Sequence, residues 1–337
     1  MMLIKKKAIK MSLNFQELMR PVPRRAVFRM AGWQVWGGTT VRGNDGYYYL
    51  YFSRWRKELE HSAWCTHSEV GYATADNPLG PFVFKGTALK GRGGEYWDAH
   101  CIHNPAAIKI NGRYYIYYMG NKGNGEYWNH RNNQRVGVAE AEHPAGPWKR
   151  LDKPVIDVTP GSFDHLLTSN PTVAQSPDGR ILMVYKAVGD GILPRGGPVN
   201  CGVAVADYPT GPFKKFPEPI MTNPENDWSV EDPCVWYQDD RFYALVKDFQ
   251  GYFSKDEKNT VALFESFDGA EWAPAEHPLA FKKEIHWEDG EVQKVAFMER
   301  PQLLLENGTP KVLYCAVSVG PKAKKDSFNI HIPLKES

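Results

Sequence analysis

The 337-residue sequence predicts an all-β protein: a five-bladed β-propeller with about four antiparallel strands per blade and a functional site in its central funnel. Three observations carry this reading. Eleven Trp, seventeen Tyr and sixteen Phe stand against thirty Gly and twenty-five Pro, the load of a β-rich core with many turns. A strand-turn-strand signal follows Pro105, Pro171, Pro233 and Pro301, spaced 66, 62 and 68 residues apart. A second motif, "GYATADNPLGPF", "GVAEAEHPAGPW" and "GVAVADYPTGPF", places Gly80, Gly146 and Gly211 66 and 65 residues apart.

In chain order, residues 1–30 read as an N-terminal segment that joins the closing blade, and 31–337 as a single propeller domain. The opening "MMLIKKKAIKMSLNF" has the lysines of a signal peptide, but Lys10 interrupts its apolar stretch and no small-residue cleavage site follows. The expectation is a mature or slightly over-extended start in a cytoplasmic protein, with Met11 as an alternative start and the periplasm as the alternative location. Blade one is "VWGGTTVRGNDGYYYLYFSRW", residues 35–55, a hairpin without the Pro. The next four pair "HNPAAI", "SNPTVA", "EDPCVW" and "ERPQLL" with aromatic or aliphatic second strands. Each inner hairpin is followed by an outer pair of strands joined through the Pro-Gly-Pro motif, and "VALFESFDGAEWAPA" is a divergent fourth copy that keeps Trp272. Three long loops, "RWRKELEHSAWCTHSE", "NKGNGEYWNHRNNQR" and "GDGILPRGGPVN", fall between second and third strands. The final "SFNIHIPL" closes the ring.

Forty-one Lys and Arg against thirty-nine Asp and Glu give a net charge of +2, which argues against a nucleic-acid partner. No run of about eighteen apolar residues suits a membrane span. The five cysteines are widely spaced and read as buried free thiols. P-loop, G-x-S-x-G and G-x-G-x-x-G elements are absent, so nucleotide and serine-hydrolase chemistry have no support.

In a propeller, residues preceding each inner strand gather at one mouth of the channel, and the antiparallel second strand returns to the same mouth. The Pro motifs therefore bring His103, Asn104, Ser169, Asn170, Glu231, Asp232, Glu299 and Arg300 together, with Arg54, Asn121, Lys186, Lys247 and Asp248 from the second strands. Crowded carboxylates shift one another's proton affinity and divide acid and base roles. Asp98 and Asp164 each lie seven before a motif Pro, and Trp97, His100 and His103 crowd Asp98. The cations Lys186, Lys247, Arg300 and Arg54 either pair with these carboxylates or receive an anionic group on the substrate.

The blade segments, with "SNPTVAQSPDGRILMVYK", "EDPCVWYQDDRFYALVKD" and "ERPQLL", resemble the five-bladed propeller glycoside hydrolases over roughly residues 30–320, families 43 and 117 and their relatives in particular. Family 43 implies an inverting mechanism with an Asp base in blade one, a tuning Asp, and a Glu acid two before a Pro in blade four. Glu231 matches the last. Gly37 and Gly38 stand where the first Asp-Pro would, and Asn170 replaces an Asp. Family 117 implies a His acid acting on terminal anhydro-galactose, for which His103 or His100 qualifies.

The resulting expectation is an exo-acting, inverting glycosidase cleaving a terminal sugar from an oligosaccharide. Asp232 or Asp98 would serve as base and Glu231 or Glu299 as acid, with Arg300 lowering a neighbouring carboxylate. His100, His103, Asn104, Asn170, Lys186, Lys247, Arg300 and Arg54 would bind substrate. No cofactor is required and no histidine spacing marks a metal site; the resemblance admits a structural cation such as Ca²⁺ in the channel. The alternatives are a glycoside phosphorylase and a non-catalytic carbohydrate-binding propeller.

Overall fold

The structure, a computed structural model, describes residues 12–319 and 326–335. The possible start at Met11 and all the lysines before it lie outside the described residues. Five four-stranded antiparallel sheets form the blades of a β-propeller.

The N-terminal strand β1 (Val27–Phe28) precedes blade one, which comprises β2 (Trp33–Arg42), β3 (Tyr48–Arg56), β4 (Glu69–Ala75) and β5 (Val83–Leu89). Blade two runs through β6 (Cys101–Ile110), β7 (Arg113–Asn121), β8 (Arg135–Ala141) and β9 (Lys149–Arg150), and blade three through β10 (Leu167–Gln175), β11 (Ile181–Val188), β12 (Val199–Ala206) and β13 (Lys214–Lys215). Blade four holds β14 (Val230–Gln238), β15 (Arg241–Asp248), β16 (Thr260–Ser266) and β17 (Ala273–Phe281). A small hairpin, β18 (Glu284–His286) and β19 (Val292–Lys294), leads to β20 (Phe297–Glu306), β21 (Thr309–Ser318) and β22 (Ser327–Pro333). In this last blade β1 supplies the outer strand, pairing Val27 with Ile330, so the two ends of the described chain share one sheet. Closure in this way leaves no blade of the ring unpartnered.

The apolar core lies in the seams between blades. Tyr51, Val70 and Leu89 of blade one pack with Ile102, Tyr114 and Ile116 of blade two, and equivalent clusters fill the other four seams. The repeated "GVA" of the third strands has a steric cause. A Cβ on Gly137 would lie 2.6 Å from Tyr118 Cζ, and one on Gly202 2.5 Å from Tyr185 Cζ. The glycine makes room for the aromatic ring of the neighbouring strand.

The Pro-Gly-Pro motif also has a physical reading. Tyr51 on β3 donates to the carbonyl of Pro144 in the turn of blade two, Tyr117 on β7 to Pro209 in blade three at 2.6 Å, and Tyr314 on β21 to Pro78 in blade one at 2.7 Å. By register the same position is Val184 in blade three and Leu245 in blade four. Tyrosine is therefore present where the following blade carries the motif and absent where the motif is divergent or missing. Tyr117→Phe is expected to cost about 1–2 kcal/mol by leaving a carbonyl unpaired. A urea melt should show a lower midpoint at unchanged slope.

Among the described residues no helix is long and apolar enough to cross a membrane. The five cysteines are buried and free.

Candidate active site

One irregularity recurs in all five inner strands and builds the site. Register shifts fall between Trp36 and Thr39, His103 and Ala106, Ser169 and Thr172, Glu231 and Cys234, and Glu299 and Gln302. The residue at the centre of each has a left-handed backbone: Gly37 (φ 50°), Asn104 (51°), Asn170 (48°), Asp232 (56°) and Arg300 (55°). The inner strands thus begin a few residues earlier than the Pro motifs suggested, and each Pro sits at a bulge within the strand. Bulges tolerate proline because the ladder is already broken there. Gly, Asn and Asp adopt this backbone at little cost, whereas Arg300 is strained, as befits a residue held by its surroundings.

The bulge turns two residues of each inner strand toward the channel. At the first position stand Trp36, His103, Ser169, Glu231 and Glu299; at the second, Gly37, Asn104, Asn170, Asp232 and Arg300. The second set makes the floor. Asn104 Nδ2 donates to Asn170 Oδ1 and Asn170 Nδ2 to Asp232 Oδ1, both at 2.7 Å. Arg300, wholly buried, crosses the channel and donates to the carbonyls of Asn104 and Pro171 at 3.0 Å and of Pro233 at 3.5 Å. A Cβ on Gly37 would lie 3.1 Å from Arg300 Cγ and 3.2 Å from Asn104 Oδ1. A side chain at position 37 would crowd Arg300 and Asn104, and the left-handed backbone there suits glycine.

Above this floor lies a cavity of about 310 Å³. Asn104, Asn170, Lys186, Glu231, Asp232, Lys247 and Glu299 line it, together with His103. Lys186 Nζ bonds Glu231 Oε2 at 2.6 Å, and Lys247 Nζ bridges Glu231 Oε1 at 3.0 Å and Glu299 Oε1 at 2.6 Å. Burial alone would raise Glu231, but the two lysines outweigh it and hold the group well below the usual carboxylate range. Asp232 is the opposite case. Burial pushes it up, the charges of Glu231 and Glu299 add to this, and despite Arg300 and Lys247 it rises to about 7. Burial works against the charge of Lys247, yet Glu299 and Glu231 keep it above an ordinary lysine. Burial, Arg300 and His61 push His103 well below an ordinary histidine, so it stands neutral, with Nδ1 2.8 Å from Ser68 Oγ.

Six of the candidate residues lie elsewhere. Asp98 is fully buried behind blade two, where Arg92 Nε (2.6 Å), Tyr118 Oη (2.9 Å) and Arg150 (3.2 Å) occupy its oxygens. Asp164 repeats this brace with Tyr185 and Lys215. The fixed offset of these two acids therefore marks a structural feature of the blade and no part of the funnel. His100 faces a separate surface groove with His67 and His130, its Nδ1 accepting from Gly123 N. Arg54 points away from the channel, bonded to Glu69 at 2.6 Å and flanked by Trp33 and Phe84. On the same second strands Asn121 binds Cys65 O, and Asp248 caps the 249–254 turn through the amides of Phe253 and Ser254.

The funnel also contains residues that repeat reasoning did not single out. Trp36, Trp55, Trp64, Trp128, Trp228 and Phe249 form an aromatic wall, and Arg131 and Gln134 reach in from the 121–135 loop. The loops themselves were marked by their length; nothing in their spacing distinguished these side chains. Among the described residues no group of three or more His, Cys, Asp or Glu is placed to hold a metal ion.

No family model and no curated protein sequence matches the chain. Solved structures match over nearly its full length. One, described as an RGII complex, aligns with a TM-score of 0.69 at 16% identity, covering 96% of this chain and 94% of the other. A family 117 glycoside hydrolase from the marine bacterium Zobellia galactanivorans aligns at 0.66 and 19% identity, covering 95% and 92%. An α-L-arabinofuranosidase from Lactobacillus brevis aligns at 0.63 and 16% identity, covering 93% and 92%. The chain has the fold of the propeller glycoside hydrolases, and at these identities the likeness speaks for the fold.

Proposed function

We propose that the protein is a glycoside hydrolase that removes a terminal sugar in its central funnel. One observation carries this reading: a buried carboxyl whose proton affinity is raised to about 7, Asp232, sits among two lysine-paired carboxylates at the bottom of an aromatic-walled pocket. Glycoside hydrolysis needs one protonated and one ionised carboxyl, and aromatic faces suit the apolar faces of sugar rings. Arg300 closes the floor, so a chain enters by its end. The volume of about 310 Å³ is near the lower limit for ligand pockets, in keeping with one or two sugar units and exo action.

The roles follow from charge and geometry. Glu231 and Glu299 share Lys247 at 3.0 and 2.6 Å, so their bonded oxygens are closer than the roughly 6.5–9.5 Å of an inverting pair. They are not acid and base to one another. Asp232 supplies the proton to the glycosidic oxygen, reversing the sequence expectation of Asp232 as base. Glu299, whose Oε2 has no partner among the described residues, activates the water, and Glu231 fixes both lysines. The neutral His103 is a binding group here rather than the acid.

Inversion is the stereochemical outcome of this assignment. Proton NMR of the first product formed from an aryl glycoside, recorded before mutarotation, should show the anomer opposite to that of the substrate. Retention would mean that one of the paired glutamates attacks carbon directly.

A further inference from the structure

We infer that the substrate of this funnel carries a carboxylate, as a uronic acid does, and that Arg131 is the residue that selects it. This rests on reading the funnel as a sugar site and extends it to the substrate class. The argument is one of charge pairing. Lys186 and Lys247 are satisfied by Glu231 and Glu299, and Arg300 is held by backbone carbonyls beneath the floor. Arg131 is the remaining cation on the cavity wall. It is only 6% exposed, and among the described residues it has no carboxylate partner. Its Nη1 donates to Asn132 Oδ1 at 2.9 Å and to Arg195 O at 2.6 Å, and its guanidinium lies 5.8 Å from the Trp128 ring centre.

Glu231 acts on Arg131 through space but is bonded to the two lysines, so the guanidinium is buried with no directly bonded counter-ion, an unfavourable state that an arriving anion relieves. A planar guanidinium fixed by two bonds to neutral oxygens is pre-organised for a carboxylate, which it binds by paired, charge-assisted hydrogen bonds. Ser169 Oγ, buried in the same wall with no partner, is a further donor waiting for an acceptor. A neutral sugar would satisfy Ser169 and leave Arg131 without a bonded anion. Arg131 is placed here as a specificity residue; it moves no proton in the reaction.

The test is a binding titration that needs no turnover, followed by the fluorescence of the funnel tryptophans. The probes are D-galacturonate against D-galactose, D-glucuronate against D-glucose, and inorganic phosphate, on wild type, Arg131→Gln and Arg131→Lys. At least one uronate should bind wild type about tenfold or more tighter than its neutral parent. Arg131→Gln should bring the ratio of uronate to neutral-sugar affinity close to one, and Arg131→Lys should keep part of the preference.

Equal binding of both uronates and their parents would overturn the inference, as would a preference that survives Arg131→Gln. Arg131-dependent phosphate binding without uronate preference would also overturn it, in favour of a free anion. A uronate preference without hydrolysis of any glycoside would sustain this inference and remove the hydrolase reading; hydrolysis of neutral glycosides without the preference would do the reverse.

Discussion

Asp232→Asn is expected to lower kcat by about 10³-fold while making the protein more stable above pH 7. Both effects come from one proton. As the general acid, Asp232 must hold a proton when the glycosidic bond breaks, and general acids contribute roughly 10²- to 10⁴-fold. Its carboxyl is pushed up to about 7, so wild-type turnover should fall as pH rises through that value. In the stability balance, a group with a raised folded-state value binds its proton more tightly in the native state. Between its unfolded value near 4 and about 7, stability falls as pH rises, and above 7 the buried charge is a standing cost on the order of a few kcal/mol. Asparagine removes that cost and can still accept the hydrogen bond from Asn170. Chemical denaturation at pH 5 and pH 8 would show the larger gain at the higher pH. An inactive variant that is also less stable at pH 8 would point to a structural role for Asp232.

The second large effect is at Arg300. Its side chain starts in blade five, passes Gly37 of blade one, and bonds carbonyls of blades two, three and four. Arg300→Met keeps most of the volume and removes these bonds. Breaking such a buried, hydrogen-bonded charge should cost about 3 kcal/mol or more. The same variant changes the chemistry in a defined direction. The positive charge of Arg300 lowers Asp232, so its removal lets Asp232 hold its proton to higher pH. The falling limb of the pH-rate profile should move upward for whatever fraction remains folded. A stability change below about 1 kcal/mol would show that the floor holds together without this residue.

The repeat was legible because propeller blades impose the same steric demands five times. The Pro at four of the five bulges, and the third-strand Gly against a second-strand aromatic and the Pro-Gly-Pro carbonyl acceptor in three blades each, recur at nearly constant spacing. That periodicity located Glu231, Asp232, Glu299, Asn104, Asn170, His103, Lys186 and Lys247 in one funnel, with Arg300 below it. It misled at Asp98 and Asp164, since a fixed offset from the Pro is as natural for a structural brace as for a site. Arg54 failed for a different reason. Its register next to the channel mouth was right, but strand alternation turned the side chain toward Glu69. The acid and base roles were not readable, because they depend on which oxygens the lysines reach. Arg131, Trp64, Trp128 and Trp228 lie outside the blade strands, where no periodicity encodes the conformation, whereas Trp36 and Trp55 stand on β2 and β3 of the one blade that lacks the Pro.

The most direct measurement is product release from a panel of aryl glycosides, aryl uronides and natural oligosaccharides, with and without phosphate. It would compare wild type with Asp232→Asn and Glu299→Gln. The funnel described here should give phosphate-independent release of a single terminal sugar, abolished by either substitution in protein that remains folded. Sugar binding without turnover, equally strong in both variants, would contradict it and make this propeller a carbohydrate-binding protein.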